Sequence, residues 1–82
     1  MNMAIRVITE HGQSTLRQLL GDRVRLLRFQ RGWSQETLAE LSGLHRNYIG
    51  HVERGEVNTG FKNVYSIAEA FEITVSEFLH GI

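Results

Sequence analysis

The chain of 82 residues contains no cysteine and no proline, and its formal net charge is zero. Without cysteine it has no disulfide, no thiol nucleophile and no cysteine-based zinc site. No apolar run approaches the ~20 residues that cross a bilayer. The opening residues, MNMAIRVITEHG, also lack the long apolar region and cleavage site of a signal peptide. These absences predict one small domain in the cytoplasm, with no membrane partner.

Signatures of enzymes and metal sites are missing as well. The sequence has neither a glycine-rich phosphate loop nor an HExxH pattern. Of its four histidines, His45 and His51 would lie about 120° apart around a helix, and His11 and His80 are near opposite ends of the chain. We therefore predict no catalytic activity, no bound metal and no cofactor.

Zero net charge is unusual for a protein that binds nucleic acid, but the charges are distributed unevenly. All nine basic residues and six of the nine acids lie in residues 1–62, which gives that part a net charge of +3. The last twenty residues hold Glu69, Glu72 and Glu77 and no base. One end of the domain can therefore face phosphates while the other is kept away from them.

The most informative stretch, residues 35–54, reads QETLAELSGLHRNYIGHVER. Apolar residues recur at helical spacing on both sides of Ser42 and Gly43. Gly43 falls where the chain must turn, and glycine reaches positive φ without a steric penalty. This pattern predicts a helix-turn-helix, whose second helix would enter the DNA major groove.

The second of these helices is predicted to begin near His45. It carries polar residues that a hydrophobic core would not contain. Arginine can donate two hydrogen bonds to guanine, and asparagine can bond adenine in the same bidentate way. We predict that Arg46 and Asn47 read bases and that His51 is a weaker third reader. The alternative for each is an ordinary solvated side chain.

The remaining helices follow from apolar stripes and capping residues. A first helix is predicted over residues 15–30, with Ser14 as its cap and Leu16 in its buried stripe. A fourth helix would bury Phe61 and Phe71, and Thr74 to Glu77 form a capping box for a short fifth helix. Residues 1–13 are predicted to be an N-terminal arm of uncertain structure, and residues 14–82 one domain.

These features resemble the lambda-repressor-like, or Xre-type, helix-turn-helix proteins. The similarity runs through RLLRFQRGWSQETLAELSGL, then YIGHVERG, then NVYSIAEAFEITVSEFL. Within that family, SGLHRNYIGHVERGE is most similar to the controller proteins of restriction-modification systems. The resemblance implies an all-α fold of five helices and a partly buried salt bridge between Arg28 and Glu53.

The resemblance also implies two interfaces. Gln35, at the start of a helix whose amides can hold a phosphate, would anchor the DNA backbone. The full set that we predict to contact the backbone is Ser34, Gln35, Tyr48, Arg54, Asn58, Lys62 and Asn63. Family members pair through their C-terminal end, and the surplus apolar residues there predict a dimer interface, unless they all belong to the core of the monomer. That predicted interface comprises Tyr65, Phe71, Ile73, Val75, Phe78, Leu79 and Ile82.

The sequence therefore predicts a transcription regulator that binds a two-fold related, double-stranded operator as a homodimer. RNA polymerase is a further candidate partner, because a chain with no effector domain acts through the position of its operator. The alternatives are a phage-type repressor or antitoxin of the same fold, and a protein-interaction module that does not bind DNA.

Overall fold

The computed structural model describes residues 15–82, which form five α-helices and no β-strand. The helices are α1 (Leu16–Arg31), α2 (Gln35–Ser42), α3 (Arg46–Glu53), α4 (Phe61–Ala70) and α5 (Val75–Phe78). The predicted five-helix, all-α fold is confirmed. The predicted arm over residues 1–13 and the cap assigned to Ser14 lie outside the described residues.

Helix α1 is shifted by one residue from the predicted 15–30 because its cap is Thr15. The Thr15 hydroxyl accepts the amide of Gln18 at 3.2 Å, and the Gln18 side chain accepts the amide of Thr15 at 2.8 Å. This reciprocal capping box fixes where the helix begins. At the other end, Gly32 takes the left-handed conformation that commonly ends a helix, with φ at 68°.

The core is built from one face of each helix, and its largest fully buried side chains include Phe71 and Phe78. Two predicted core residues are not in it, because Leu16 is 66% and Phe61 is 73% exposed. Both occupy the first position of their helices. The buried apolar set is Leu20, Val24, Leu38, Ala39, Ile49, Val52, Val64, Ile67, Ala68, Phe71 and Phe78.

Trp33 lies in the link from α1 to α2 and stacks on Phe71. The two ring centroids are 5.2 Å apart and the rings are inclined by 7°. The guanidinium of Arg31 lies over both rings, 5.5 Å and 5.3 Å from their centroids. This stack joins the end of α1 to the end of α4.

Helix α1 also packs against the C-terminal end of α3, where the backbones of the two helices come into close contact. A Cβ atom added at Gly21 would lie 2.4 Å from the carbonyl oxygen of Val52 and 2.8 Å from that of Glu53. Nearby, the Arg25 guanidinium donates to the same Glu53 carbonyl at 3.2 Å. Only glycine fits this crossing without displacing one helix.

The C-terminal end is held to α1 by Arg23 and begins with the predicted capping box. Thr74 and Glu77 cap α5 reciprocally, at 3.0 Å and 2.8 Å. The Arg23 guanidinium donates to the carbonyl of Phe78 at 3.1 Å and also to that of His80. Carbonyls that α5 leaves without helical partners are thereby satisfied.

Candidate nucleic-acid interface

The turn between α2 and α3 has the geometry that the sequence predicts. Gly43 adopts φ 75° and its amide donates to the carbonyl of Ala39 at 2.9 Å. Leu38 and Ala39 of α2 are buried in one core with Ile49 and Val52 of α3. The buried face of α3 thereby fixes which of its side chains face outward.

The start of α3 is capped by a histidine, which is not among the residues that most often cap a helix. His45 Nδ1 accepts the backbone amide of Asn47 at 3.0 Å. Because an imidazole nitrogen with a lone pair can do what a serine hydroxyl does at this position, the departure does not disturb the helix start. The helix accordingly begins at Arg46, one residue after His45.

The three predicted base readers are exposed on α3. Arg46 and Asn47 occupy its first two positions, and His51 follows one turn later. Arg46 is not isolated, because its Nε lies 2.9 Å from the carboxylate of Glu36 on α2. Both side chains of that pair are more than half exposed, so solvent screens the attraction.

His51 belongs to a second polar cluster, together with Arg54 and Glu56. Its Nδ1 lies 2.7 Å from Glu56 Oε1, and Arg54 Nε donates to Glu56 Oε2 at 3.0 Å. Hydrogen bonds from His51 and then Arg54 lower the pKa of the Glu56 carboxyl below its ordinary value. Glu56 is therefore ionised at neutral pH and compensates positive charge on this face.

Gly50 is buried beneath the side chain of Arg54. A Cβ atom at Gly50 would lie 3.0 Å from Arg54 Nη1. The missing side chain lets the guanidinium lie against the helix. The result is a shallow depression of about 150 Å³, whose lining is Gln35, Arg46, Asn47, Gly50, His51 and Arg54.

The start of α2 borders this depression. Ser34 caps the helix, with its hydroxyl accepting the amide of Thr37 at 3.0 Å. Gln35, however, is half-buried and donates its side-chain amide to Glu53 Oε1 at 3.1 Å. The Gln35 side chain is thus already hydrogen-bonded within the domain. The backbone amides at the start of α2 remain the groups that could bind a phosphate.

The structure brings Arg28 and Glu53 together in a two-point ion pair. Arg28 Nε lies 2.7 Å from Oε2 and Nη2 lies 2.9 Å from Oε1. Only 11% of the arginine side chain and 3% of the glutamate side chain are exposed. The hydrogen bond to Glu53 raises the pKa of Arg28. Because Arg28 also donates to the Trp33 carbonyl at 3.0 Å, the pair ties together α1, α3 and the α1–α2 link.

The other residues that we predict to contact the DNA backbone lie on α3, on α4 and in the loop between them. Tyr48 is half-buried, and Asn63 of α4 donates its side-chain amide to the Tyr48 hydroxyl at 3.0 Å. Asn58 and Lys62 are exposed, in the loop after α3 and in the first turn of α4. These four residues form a polar edge from α3 to α4.

The predicted dimer interface needs a correction. Phe71 and Phe78 are completely buried in the core of the monomer, so they present no surface to a partner. The spacing of apolar residues in the sequence did not distinguish a residue of the core from a residue of the interface. Tyr65 is 52% and Leu79 is 37% exposed. The remaining members, Ile73, Val75 and Ile82, are partly buried against the core.

Within residues 15–82, no three histidine, cysteine, aspartate or glutamate side chains are grouped closely enough to hold a metal ion. Among the five helices, none is long and apolar enough to cross a membrane.

Comparison with known proteins agrees with this geometry. Residues 24–78 match the helix-turn-helix family HTH_3. Control protein C.SmaI of Serratia marcescens is 42% identical over 64 residues, which are 78% of this chain and 76% of C.SmaI. Control protein C.BamHI of Bacillus amyloliquefaciens is 36% identical, with 80% of this chain and 83% of C.BamHI aligned.

A solved structure shows the same likeness in three dimensions. The crystal structure of the restriction-modification controller protein C.AhdI from Aeromonas hydrophila matches with a TM-score of 0.73 and 47% identity. The match covers 76% of this chain and 94% of C.AhdI. The chain therefore belongs to the HTH_3 helix-turn-helix family and is a DNA-binding regulator of transcription rather than an enzyme.

Proposed function

We propose that this regulator binds a two-fold related operator as a homodimer, with α3 of each subunit in one major-groove half-site. The observation that carries the proposal is the exposure of Arg46, Asn47 and His51 on α3, beside the N-terminal end of α2. The half-sites would lie about one helical turn (~34 Å) apart.

Arg46 and Asn47 would specify sequence through guanine and adenine, respectively. Arg46 must first leave Glu36. That exchange is easy, because an exposed ion pair is worth only about 0–1 kcal/mol. Backbone contacts would orient the domain without reading sequence. They would come from Ser34 and Gln35 at the α2 start, from Tyr48 and Arg54 of α3, and from Asn58, Lys62 and Asn63.

Dimerisation would use the end of the domain that carries acids and no bases. Tyr65 and Leu79 are exposed apolar side chains there, and Ile73, Val75 and Ile82 are partly exposed beside the core. A second subunit would cover apolar area that a small domain leaves in water. We expect Leu79→Glu to weaken the dimer in sedimentation velocity experiments, and an unchanged sedimentation coefficient would contradict this surface.

The regulated genes are proposed from the relatives. C.SmaI and C.BamHI are named as control proteins, and C.AhdI as a restriction-modification controller protein. We propose the same role here, with the operator placed so that the bound dimer blocks RNA polymerase or contacts it from an adjacent site. A regulator of bacterial DNA would act in the cytoplasm. If the genes next to that of this protein include no nuclease and no methyltransferase, this part of the proposal is wrong.

The test of DNA binding uses the DNA upstream of the protein's own gene in a fluorescence anisotropy titration at several salt concentrations. Affinity should fall steeply with salt, because phosphate contacts release counterions. Arg46→Ala should lose about 1–3 kcal/mol per base contact and relax the preference at that position.

The matched control is Arg31→Ala, which removes the same charge from a side chain that lies over Trp33 and Phe71. It should leave sequence preference intact. Direct readout by Arg46 is wrong if both variants bind every sequence as selectively as the parent protein.

A further inference from the structure

Glu56, which follows α3 and lies outside the recognition helix, contacts the ring of His51 through one of its carboxylate oxygens. The distance from Glu56 Oε1 to His51 Nδ1 is 2.7 Å. An ionised carboxylate has only acceptor atoms, so the proton in this contact is carried by Nδ1. In the neutral imidazole the other nitrogen, Nε2, is then an acceptor.

The backbone and Arg54 keep Glu56 in place for this contact. The Glu56 amide donates to the His51 carbonyl at 3.0 Å, and Gly55 between them turns the chain with φ 72°. Arg54 Nε donates to the second carboxylate oxygen at 3.0 Å. Arg54 Nη2 also lies 3.3 Å from His51 Nδ1, a longer contact than the one to Glu56, and it can donate only to an Nδ1 that carries no proton.

The Nε2 side of the ring is available to DNA. The His51 side chain is 49% exposed, and within residues 15–82 none of the hydrogen bonds involves Nε2. This nitrogen points away from Glu56. A neutral acceptor on α3 can bond a base edge that donates, and it is repelled by one that accepts.

We propose that Glu56 is a specificity-determining positioning residue that makes His51 a reader of an exocyclic amino group. In the major groove those groups are cytosine N4 and adenine N6, whereas guanine and thymine present only acceptors as hydrogen-bonding groups. The inference rests on the proposed reading of an operator by α3. Beyond that reading, we infer which bases His51 prefers. The preference is set by Glu56, in the loop that follows α3.

The first test needs no DNA. Long-range ¹H–¹⁵N spectra of the imidazole rings at pH 8, where a free imidazole is neutral, report which nitrogen carries the proton. His51 should have its proton on Nδ1 in the parent protein, and Glu56→Ala should move it towards Nε2. A proton on Nε2 in the parent protein would overturn the proposal. The charged groups near the ring are Glu56 and Arg54.

The second test selects binding sites from a randomised operator at pH 8 with the parent protein, His51→Ala, Glu56→Ala and the double variant. The position where His51→Ala loses preference identifies the base that His51 reads. Glu56→Ala should reduce the preference for cytosine or adenine at that same position by roughly five- to tenfold, about the lower end of one good base contact. The double variant should resemble His51→Ala alone.

The control is Glu40→Ala, which removes an exposed acid of α2 that is outside the His51 cluster. Both glutamate variants lose one negative charge and should bind all DNA somewhat more tightly, but only Glu56→Ala should lose selectivity at one position. Equal selectivity in the two variants, or a parent preference for guanine or thymine at that position, would overturn the proposal. If the parent protein selected no sequence at all while the ring proton were on Nδ1, the proposed DNA binding would fail instead.

Discussion

Glu53 and Glu56 are three positions apart and each accepts hydrogen bonds from two side chains, yet their surroundings differ. Glu53 is 4% exposed and accepts from Arg28 of α1 and Gln35 of α2. Glu56 has about half of its side chain in solvent and accepts from His51 and Arg54, both within five residues of it.

The difference shows how burial decides what an ion pair does. Removing a buried charge's partner leaves a charge that neither water nor protein satisfies. An exposed pair can exchange its partner for water or for a ligand at little cost. Glu53 therefore joins helices, whereas the exposed pairs of Glu56 and Glu36 can orient or release side chains that we propose to contact DNA.

The largest effect that this comparison predicts is on Glu53. Glu53→Ala should lower the free energy of unfolding by about 3–5 kcal/mol, because Arg28 would keep its buried charge without a carboxylate. Urea denaturation followed by circular dichroism measures the loss. Exposed Glu40→Ala is the control and should be close to neutral. A loss under about 1 kcal/mol for Glu53→Ala would mean that the ion pair does not hold α1 to α3.

Two glycines extend the contrast to helix packing, because Gly21 of α1 faces the backbone of α3 and Gly50 of α3 faces the side chain of Arg54. Gly21→Ala would place its Cβ 2.4 Å from a backbone carbonyl of α3, which cannot move alone. We expect a loss of about 1–3 kcal/mol, typical of overpacking. At Gly50 the near atom is the end of the flexible Arg54 side chain, 3.0 Å away.

Gly50→Ala should therefore leave stability unchanged or raise it by up to about 1 kcal/mol, since alanine favours a helix over glycine. The same urea titrations measure both variants. Equal losses at the two positions would show that the Arg54 side chain is as immobile as the α1–α3 crossing.

Much of the scaffold could be predicted because its signals are local. The caps at Ser34 and Thr74 and the turn at Gly43 depend on residues within a few positions of one another. The Arg28–Glu53 pair spans 25 positions, and only the family resemblance suggested it. Nothing in the residues around either partner indicates the other.

What the sequence did not reveal depends on packing between distant elements. Apolar spacing gave the buried direction of α4 and placed Phe71 in its buried stripe. It did not show that Phe61 would be exposed, or that Phe71 and Phe78 would be buried too completely to meet a partner. Gly21 carried no signal, since a glycine within a helix does not disclose what lies opposite it. The contact of His51 with Glu56 depends on side-chain rotamers after the turn at Gly55.

The smallest predicted effect concerns the ionisation of Glu56. Its pKa in the folded chain is below the ordinary value because His51 and Arg54 bond the carboxylate. Stability from these bonds is complete above the ordinary carboxyl pKa and is lost as the pH falls through the lower, folded value. Glu56→Gln should therefore have a slightly lower urea midpoint than the parent protein at pH 7, and the two curves should converge in acid. High salt should reduce the difference at pH 7, because both partners are exposed. A difference that persisted unchanged into acid would show that the contact does not depend on the charge of Glu56, and would remove the contrast with Glu53.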